Sequence, residues 1–235
     1  MTERPYILLS CGMSIDGYLD TAEVKRLRLS NDADFDRVDA VRATCDAILV
    51  GAATVRNDNP RLLVRSAERQ RARVARGALP SPMKVTLTAQ ADLDACSQFF
   101  STGDIEKVVY CPTDAVAKAR SALGAVATVV DGGHRLSVRW LTEDLGQRGV
   151  QRLMVEGGGS VHTQFLTAGL ADELNLVVAP FFVGDSRAPR FVQDGDFPWN
   201  PGRRAELAEV RQIGDVVLLR YALSSRFCPD NDTPE

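Results

Sequence analysis

The chain has 235 residues, of which 45% are hydrophobic and 25% charged, and its net charge is −3. These values are typical of a globular protein and do not indicate the basic surface that nucleic-acid binding needs. No apolar run reaches the roughly 18 residues of a membrane helix, and the first residues lack the basic-then-apolar layout of a secretory signal. We therefore expect a cytoplasmic protein that binds neither membranes nor nucleic acid.

Apolar runs and amphipathic segments alternate along most of the chain. The predicted strands are 5–11, 46–51, 84–88, 107–111, 125–130 and 151–155. The predicted helices are 32–44, 113–123, 136–146 and 161–170. Alternation of this kind predicts an α/β fold with a mostly parallel central sheet flanked by helices. The arginine-rich segment 66–82 is expected to be a solvated loop or short surface helix rather than a phosphate site.

The C-terminal part of the chain has a different pattern. Three strand-like runs, 173–180, 205–213 and 216–222, follow one another without helices between them, and Gly214-Asp215 is a hairpin-like turn. This predicts antiparallel strands at the end of the sheet. We expect a single domain over residues 1–223 and a disordered polar tail over residues 224–235.

The cysteines and histidines do not indicate a disulfide or a metal site. Five cysteines are scattered singly without a C-x-x-C pair, and the two histidines, His134 and His162, are far apart. Structural zinc sites and disulfide frameworks need closely spaced or paired ligands. We expect a reduced, metal-free protein.

Three glycines, Gly157 to Gly159, separate the predicted strand that ends at Glu156 from the predicted helix 161–170. Glycines let backbone N–H groups approach a ligand closely, and a helix N-terminus favours negative charge. The junction therefore suits the pyrophosphate of a nucleotide cofactor, although a tight turn without any ligand explains it equally well. The spacing is not the G-x-G-x-x-G of a Rossmann fingerprint.

A second polar stretch, 51–65, begins where the predicted strand 46–51 ends, at the edge where open α/β sheets bind ligands. It offers the hydroxyl of Thr54, the carboxylate of Asp58, and the guanidinium groups of Arg61 and Arg65, which suit phosphate. A capped helical turn followed by a surface loop is the alternative interpretation.

Two further groups of polar residues lie nearer the N-terminus. The cations of segment 25–30, together with Arg42, either hold a substrate phosphate or form a solvated face. Asp16 follows the first strand and is either a general acid, a substrate anchor or part of an Asp-Gly turn.

Taken in order, these stretches resemble the reductase family of riboflavin biosynthesis. That family includes the C-terminal domain of bacterial bifunctional deaminase-reductases and the free-standing archaeal and fungal pyrimidine reductases. The resemblance covers residues 5–222 and implies a dihydrofolate-reductase-like fold, NADPH as hydride donor and a homodimer. The matching segments are 6–10, 12–17, 41–65, 153–159, 169–174 and 179–184.

The resemblance also implies a reaction and a set of site residues. Members reduce the sugar C1′ of a phosphoribosylamino-pyrimidine and so open the ribosyl group to a ribityl chain. The positions that match cofactor contacts are Gly12, Thr54, Asp58, Gly158, Gly159 and Ser160. The positions that match substrate contacts are Arg42, Leu62, Arg65 and Glu156. The protein mainly orients the two reactants, and the proton for nitrogen comes from water or from Asp16.

Several positions depart from the family pattern, mostly where substrate and nicotinamide are expected. They are Tyr18 in place of a basic residue, Arg26 for Ser, Arg28 for an aromatic residue, Asn59 for Asp and Ala89 for Ser. The alternatives are therefore a reductase of the same fold with a different pterin, pyrimidine or other small acceptor, or a non-catalytic nucleotide-binding protein. The zinc deaminase signature is absent from the sequence. The choice between NADPH and NADH, and between the amino and the deaminated pyrimidine, stays open.

Overall fold

A computed structural model describes residues 4–23 and 27–229. The described residues form a mostly parallel sheet whose C-terminal strands are antiparallel. The strands are β1 Tyr6–Ser14, β2 Ala47–Gly51, β3 Met83–Leu87, β4 Lys107–Cys111, β5 Thr128–Asp131, β6 Arg152–Gly157, β7 Glu173–Ala179, β8 Glu206–Ile213 and β9 Val216–Ala222. The helices are α1 Asp32–Thr44, α2 Ala52–Asp58, α3 Ala67–Ala75, α4 Gln98–Ser101, α5 Thr113–Leu123, α6 Val138–Gln147 and α7 Gly159–Thr167. None of these helices has the length and apolar character needed to span a membrane.

The chain divides into two compact units. Among the described residues, the first unit comprises 4–5 and 39–154, and the second comprises 6–23, 27–38 and 155–229. Helix α1 and strand β6 each supply residues to both units.

Parallel strands form the centre of the first unit. Strand β2 pairs with β3, β3 with β4, and β4 with β5, all in parallel. Every residue of β2 is buried, which explains its continuous apolar sequence, because parallel strands are normally covered on both faces. Helix α5 buries Ala115, Val116 and Ala119 against Cys111 and Ala91. The carboxyl ends of these strands therefore share one edge, from which α2 and α5 begin.

The second unit contains the antiparallel part of the sheet. Strand β1 pairs in parallel with β7, whereas β7 with β9 and β9 with β8 are antiparallel. Gly214 adopts a positive φ of 61° in the turn that joins β8 to β9. A buried ion pair strengthens this part, since Arg220 Nε lies 2.6 Å from Glu173 Oε1. The predicted antiparallel strands and hairpin are confirmed.

Several elements differ in extent from the prediction: β1 ends at Ser14 rather than at 11, β6 ends at Gly157 rather than at 155, and α7 covers Gly159–Thr167 rather than 161–170. Strand β5 begins at Thr128 rather than at 125, because the N–H groups of Val126 and Ala127 donate to the carbonyl of Leu123 and close the end of α5. The segment 66–82 contains α3, whose first turn is capped by Ser66. Its Arg73 is buried and donates to the carbonyls of Ala43, Cys45 and Leu79, so this arginine stabilises the first unit.

The expected disordered tail is ordered as far as residue 229. Ser224 Oγ donates to Asp172 at 2.6 Å, and Arg226 forms an ion pair with the same carboxylate at 3.3 Å. The guanidinium of Arg220 lies 5.0 Å from the ring of Phe227. These contacts attach the segment to the second unit. Ser224 and Asp172 are 52 residues apart in sequence, so the polar composition of the tail does not reveal the contact. Residues 230–235 lie outside the described residues.

Candidate functional site

In the first unit, helix α2 begins directly at the carboxyl end of β2. Gly51 ends the strand and serves as the N-cap of the helix. Thr54 and Asp58 are both half-buried and lie four residues apart, so they share one face of α2. This placement agrees with the expectation that a hydroxyl and a carboxylate stand at the ligand-binding edge of the parallel strands.

The segment that follows α2, residues 59–66, is called the Arg65 loop below. Two of its non-glycine residues, Asn59 and Leu62, have positive φ angles of 44° and 48°. The side chain of Leu62 is buried, whereas that of Arg65 is 59% exposed. Asn59 is the left-handed C-cap of α2, a conformation that asparagine tolerates, whereas the same backbone at Leu62 costs free energy and persists only where the surroundings over-determine it, as is common at binding sites.

Side chains from neighbouring elements hold the Arg65 loop in place. Arg42 Nη1 donates to the carbonyl oxygen of Leu63 at 3.3 Å, and the N–H of Val64 donates to Ser81 Oγ at 3.0 Å. Arg61 Nε donates to Gln98 Oε1 at 2.6 Å. Arg42, predicted to contact substrate, therefore also supports the backbone of the loop that carries Arg65.

In the second unit, the glycine loop, residues 157–159, joins β6 to α7. Gly157 has a positive φ of 137°, the peptide bond between Gly157 and Gly158 is cis, and α7 begins at Gly159. Gly158 caps the helix without a side-chain hydrogen bond. Ser160 is exposed and Glu156 is half-buried. The loop thus presents a helix N-terminus whose partial positive charge favours an anion.

Gly159 has a packing function that the sequence did not reveal. A Cβ placed on this residue would overlap the carbonyl oxygen of Arg190, and it would also lie 3.4 Å from that of Phe191. The backbone of residues 190–191 therefore occupies the space that a side chain would need. The missing side chain at Gly159 is required by the protein's own chain, independently of any ligand.

Tyr18 is buried against the same segment. Its backbone forms an isolated antiparallel bridge with Arg190, whose guanidinium lies 4.6 Å from the Tyr18 ring centroid and donates to the hydroxyl at 2.8 Å. The N–H of Phe191 donates to the carbonyl of Gly17. Residues 189–191 thus connect the turn after β1 to the glycine loop, and Tyr18 stabilises this connection.

Asp16 stabilises a loop, which does not fit the acid role expected for it. Its carboxylate accepts hydrogen bonds from Ser14 Oγ at 2.5 Å and from the N–H groups of Val183 and Gly184 at 3.1 and 2.8 Å. Partial loss of water raises the pKa of this carboxyl, but these hydrogen bonds outweigh it and lower the pKa to about 2. Asp16 is ionised at neutral pH and has no proton to donate.

The comparisons with known proteins identify the family of the chain. The family model that describes the RibD C-terminal domain matches residues 5–219. The chain belongs to this family. A relative from Archaeoglobus fulgidus, 30% identical over 95% of this chain and 99% of its own length, is named 2,5-diamino-6-ribosylamino-4(3H)-pyrimidinone 5′-phosphate reductase.

Solved structures of RibD-like proteins show the same fold. A pyrimidine reductase-like protein of Corynebacterium diphtheriae matches with a TM-score of 0.78 at 22% identity, covering 93% of this chain and 91% of that one. The deaminase/reductase of Thermotoga maritima matches with a TM-score of 0.74 at 21% identity, and the match covers 93% of this chain. This chain therefore corresponds to 56% of the length of the Thermotoga protein.

His162 has an environment that the sequence does not predict. This residue of α7 is fully buried, neither ring nitrogen has a hydrogen-bond partner among the described residues, and the ring lies 5.4 Å from that of Phe191. Burial lowers the pKa of the imidazole from about 6.5 to about 4. A single histidine in a helical segment does not by its sequence pattern indicate that its ring is buried without hydrogen-bond partners.

Two of the departures from the family pattern concern the segment before α1. Arg28 is exposed, lies 5.2 Å from the ring centroid of Phe35 and pairs with Asp32. Both partners lie in the first turn of α1, and they account for the position of the Arg28 side chain without a ligand. Arg26, together with Lys25, lies outside the described residues.

Proposed function

We propose that the protein is an NADPH-dependent reductase that converts a phosphoribosylamino-pyrimidine to its ribitylamino form in riboflavin biosynthesis. The observation that carries the proposal is the Arg65 loop, which presents an exposed guanidinium on a strained and well-supported backbone. Such a group suits a phosphate monoester. The near-complete match to a relative named as a reductase of this substrate supports the same conclusion.

The residues present fit a nucleotide cofactor. In our proposal the N-terminus of α7, with Gly158, Gly159 and Ser160, receives the pyrophosphate, because this helix end lacks a side-chain cap. Thr54 and Asp58 on α2, and the backbone of Gly12 in β1, are the other proposed cofactor contacts. The nicotinamide supplies a hydride, and the preference for NADPH over NADH is part of the proposal.

The substrate contacts are proposed for the polar residues Arg65, Arg42 and Glu156 and for the backbone of Leu62. Arg65 binds the phosphate, Arg42 supports the loop and adds positive charge, and Glu156 binds sugar hydroxyls or the base. The positive φ of Leu62 turns the backbone within the loop. These contacts hold the substrate in the orientation needed for reduction at C1′.

The chemistry needs little acid–base machinery from the protein. The open-chain form of the substrate is an imine, which gains a hydride at C1′ and a proton at nitrogen, while the C=N double bond becomes single. Asp16 is ionised and engaged by three donors, so water supplies the proton in our proposal. Turnover should therefore not require a protonated Asp16, and its rate should not rise as the pH falls towards the pKa of this residue.

The oligomeric state and location belong to the same proposal. Strand β8 carries the exposed apolar side chains of Leu207 and Val210, which association of two copies would bury. A homodimer is therefore proposed, and a cytoplasmic location is proposed because the relatives are riboflavin-biosynthesis reductases. Light scattering of the purified protein measures its mass directly, and a monomer at micromolar concentration would contradict the dimer.

Turnover with defined acceptors tests the function. The protein is incubated with NADPH or NADH and with the amino or the deaminated pyrimidine phosphate, and the absorbance of the reduced nicotinamide is followed. Oxidation of the nicotinamide that occurs only when one of the two pyrimidine phosphates is present supports the proposal, and the pyrimidine that is needed is the substrate. Oxidation only with other acceptors would show a reductase with a different substrate, and tight NADPH binding without turnover would show a non-catalytic protein.

A further inference from the structure

We propose that Asp39 is a positioning residue that holds Arg65 ready for the phosphate group of the substrate. The inference rests on the proposed function, because it assigns a task to Arg65 in that reaction. Asp39 lies in α1, outside the family-like segments given above, and is not among the residues proposed above to touch cofactor or substrate.

The Asp39 carboxylate contacts both the backbone and the side chain of Arg65. Its Oδ1 accepts a hydrogen bond from the Arg65 N–H at 2.5 Å and lies 3.6 Å from Arg65 Nε. Its Oδ2 accepts from the N–H of Ser66 and from Arg69 Nη1, both at 3.1 Å. The carboxylate is 2% exposed, so these donors replace water around a buried charge.

Because the Asp39 carboxylate is buried, it fixes the positions of the groups that donate to it. A buried carboxylate must keep its donors, since leaving the charge without them is costly. The N–H groups of Arg65 and Ser66 are therefore held at one end of the Arg65 loop. Arg42, three residues after Asp39 on α1, holds the carbonyl of Leu63 nearer the middle of the loop. Asp39 and Arg42 lie on one face of α1 and thus support the loop before Arg65, at Leu63, and after it, at Ser66.

Positioning should matter for binding because a free arginine side chain loses considerable rotamer entropy when it captures an anion. The contact between Asp39 and Arg65 Nε restricts the guanidinium before any ligand arrives. The Arg65 side chain remains 59% exposed, so it is held without being buried. Asp39 therefore acts on the phosphate only through Arg65.

The test compares Asp39→Asn with the matched variant Asp46→Asn. Asp46 also accepts hydrogen bonds from two successive N–H groups, those of Gln151 and Arg152, at 2.9 Å each, but not from the Arg65 loop. We expect Asp39→Asn to raise KM for the pyrimidine phosphate about tenfold. We expect kcat, KM for NADPH and KM for the dephosphorylated pyrimidine to stay within about twofold, and Asp46→Asn to match the wild type in all four constants.

A second readout does not depend on turnover. Hydrogen–deuterium exchange of peptides covering residues 61–66 should become faster in Asp39→Asn and stay unchanged in Asp46→Asn. In an active wild type, an unchanged KM, or an equal loss on phosphorylated and dephosphorylated pyrimidine, would overturn the inference. If the wild type does not turn over, the proposed function fails, and the exchange measurement still decides whether Asp39 holds the loop, since unchanged exchange would overturn that.

Discussion

The Arg65 loop, which follows helix α2, and the glycine loop, which joins β6 to α7, are both irregular segments, yet they are held in opposite ways. Polar side chains of Asp39, Arg42 and Ser81 hold the Arg65 loop. The glycine loop depends on a missing side chain, because the backbone carbonyl of Arg190 fills the space beside Gly159. The Arg65 loop should therefore lose its conformation when a supporting side chain is removed, and the glycine loop when a methyl group is added.

Gly159→Ala should have the largest effect and tests the second half of this comparison. The new Cβ would overlap the Arg190 carbonyl, so the backbone of one of the two segments must move. We expect the free energy of unfolding to fall by about 3 kcal/mol or more, together with a loss of NADPH affinity. Urea denaturation measures the first quantity and fluorescence titration with NADPH the second.

Gly202→Ala is the control for that change. Gly202 is exposed, its φ is not positive, and a Cβ there would meet only Asn200 Oδ1 at 3.4 Å. We expect a change below about 0.5 kcal/mol. Equal stabilities of Gly159→Ala and Gly202→Ala would show that residues 190–191 do not constrain the glycine loop.

Acid should destabilise the region of α7 through His162. Its folded-state pKa of about 4 lies below the ordinary value of about 6.5, so between these values the unfolded chain binds a proton that the folded chain does not. Stability is therefore fully present above about pH 6.5 and is lost as the pH falls towards 4, by on the order of 3 kcal/mol. Urea denaturation at about pH 7 and about pH 4.5 measures the difference.

His162→Phe keeps an aromatic ring beside Phe191 and removes the titrating group. This variant should lose much of the acid sensitivity, whereas the exposed His134→Gln variant should retain it. An acid profile of His162→Phe that coincides with that of the wild type would assign the effect to other groups.

Arg65→Ala tests the first half of the comparison. Removing the guanidinium should raise KM for the pyrimidine phosphate about 30-fold, equivalent to about 2 kcal/mol, because a charge-assisted contact to phosphate is lost. Steady-state kinetics with phosphorylated and dephosphorylated pyrimidine measure it. Arg61→Ala is the comparison on the same loop: it removes a different guanidinium together with one support of the loop, the bond to Gln98, so we expect a much smaller rise in KM. An unchanged KM in Arg65→Ala would mean that another group binds the phosphate.

Thr54→Ala should have the smallest effect and should act on the cofactor alone. Losing one neutral hydroxyl contact should raise KM for NADPH about fivefold, equivalent to about 1 kcal/mol, without changing KM for the pyrimidine. Thr113→Ala, which removes a hydroxyl bonded to Asp131 at another strand end, serves as the control. A rise in KM for the pyrimidine instead of NADPH would reverse the assignment of α2.

The comparison also shows what the sequence could predict. Residue types identified the polar stretch 51–65 and the glycines because charged, hydroxyl and glycine residues at strand ends are local signals. The alternating pattern likewise predicted the parallel strands and the antiparallel end of the sheet. Local patterns sufficed here because each element depends mainly on its own spacing of apolar residues.

The supports of the two loops could not be predicted in this way. Asp39 and Arg65 are 26 residues apart, and Tyr18 and Arg190 are 172 apart, so no local pattern links them. Asp16 is a possible acid by sequence, but the hydrogen bonds from Ser14 and from the distant N–H groups of Val183 and Gly184, which lower its pKa, cannot be inferred from a local pattern. The burial of His162 likewise depends on packing against Phe191, which lies outside its helix.

Mass spectrometry of the reaction product tests most directly whether the chain reduces the ribosyl group of a pyrimidine phosphate. The purified protein is incubated with NADPH and 2,5-diamino-6-ribosylamino-4(3H)-pyrimidinone 5′-phosphate. We expect a product that has gained two hydrogen atoms and kept its phosphate, in step with the NADPH consumed. Recovery of unchanged pyrimidine after prolonged incubation with NADPH, and with the deaminated pyrimidine as well, would contradict the account.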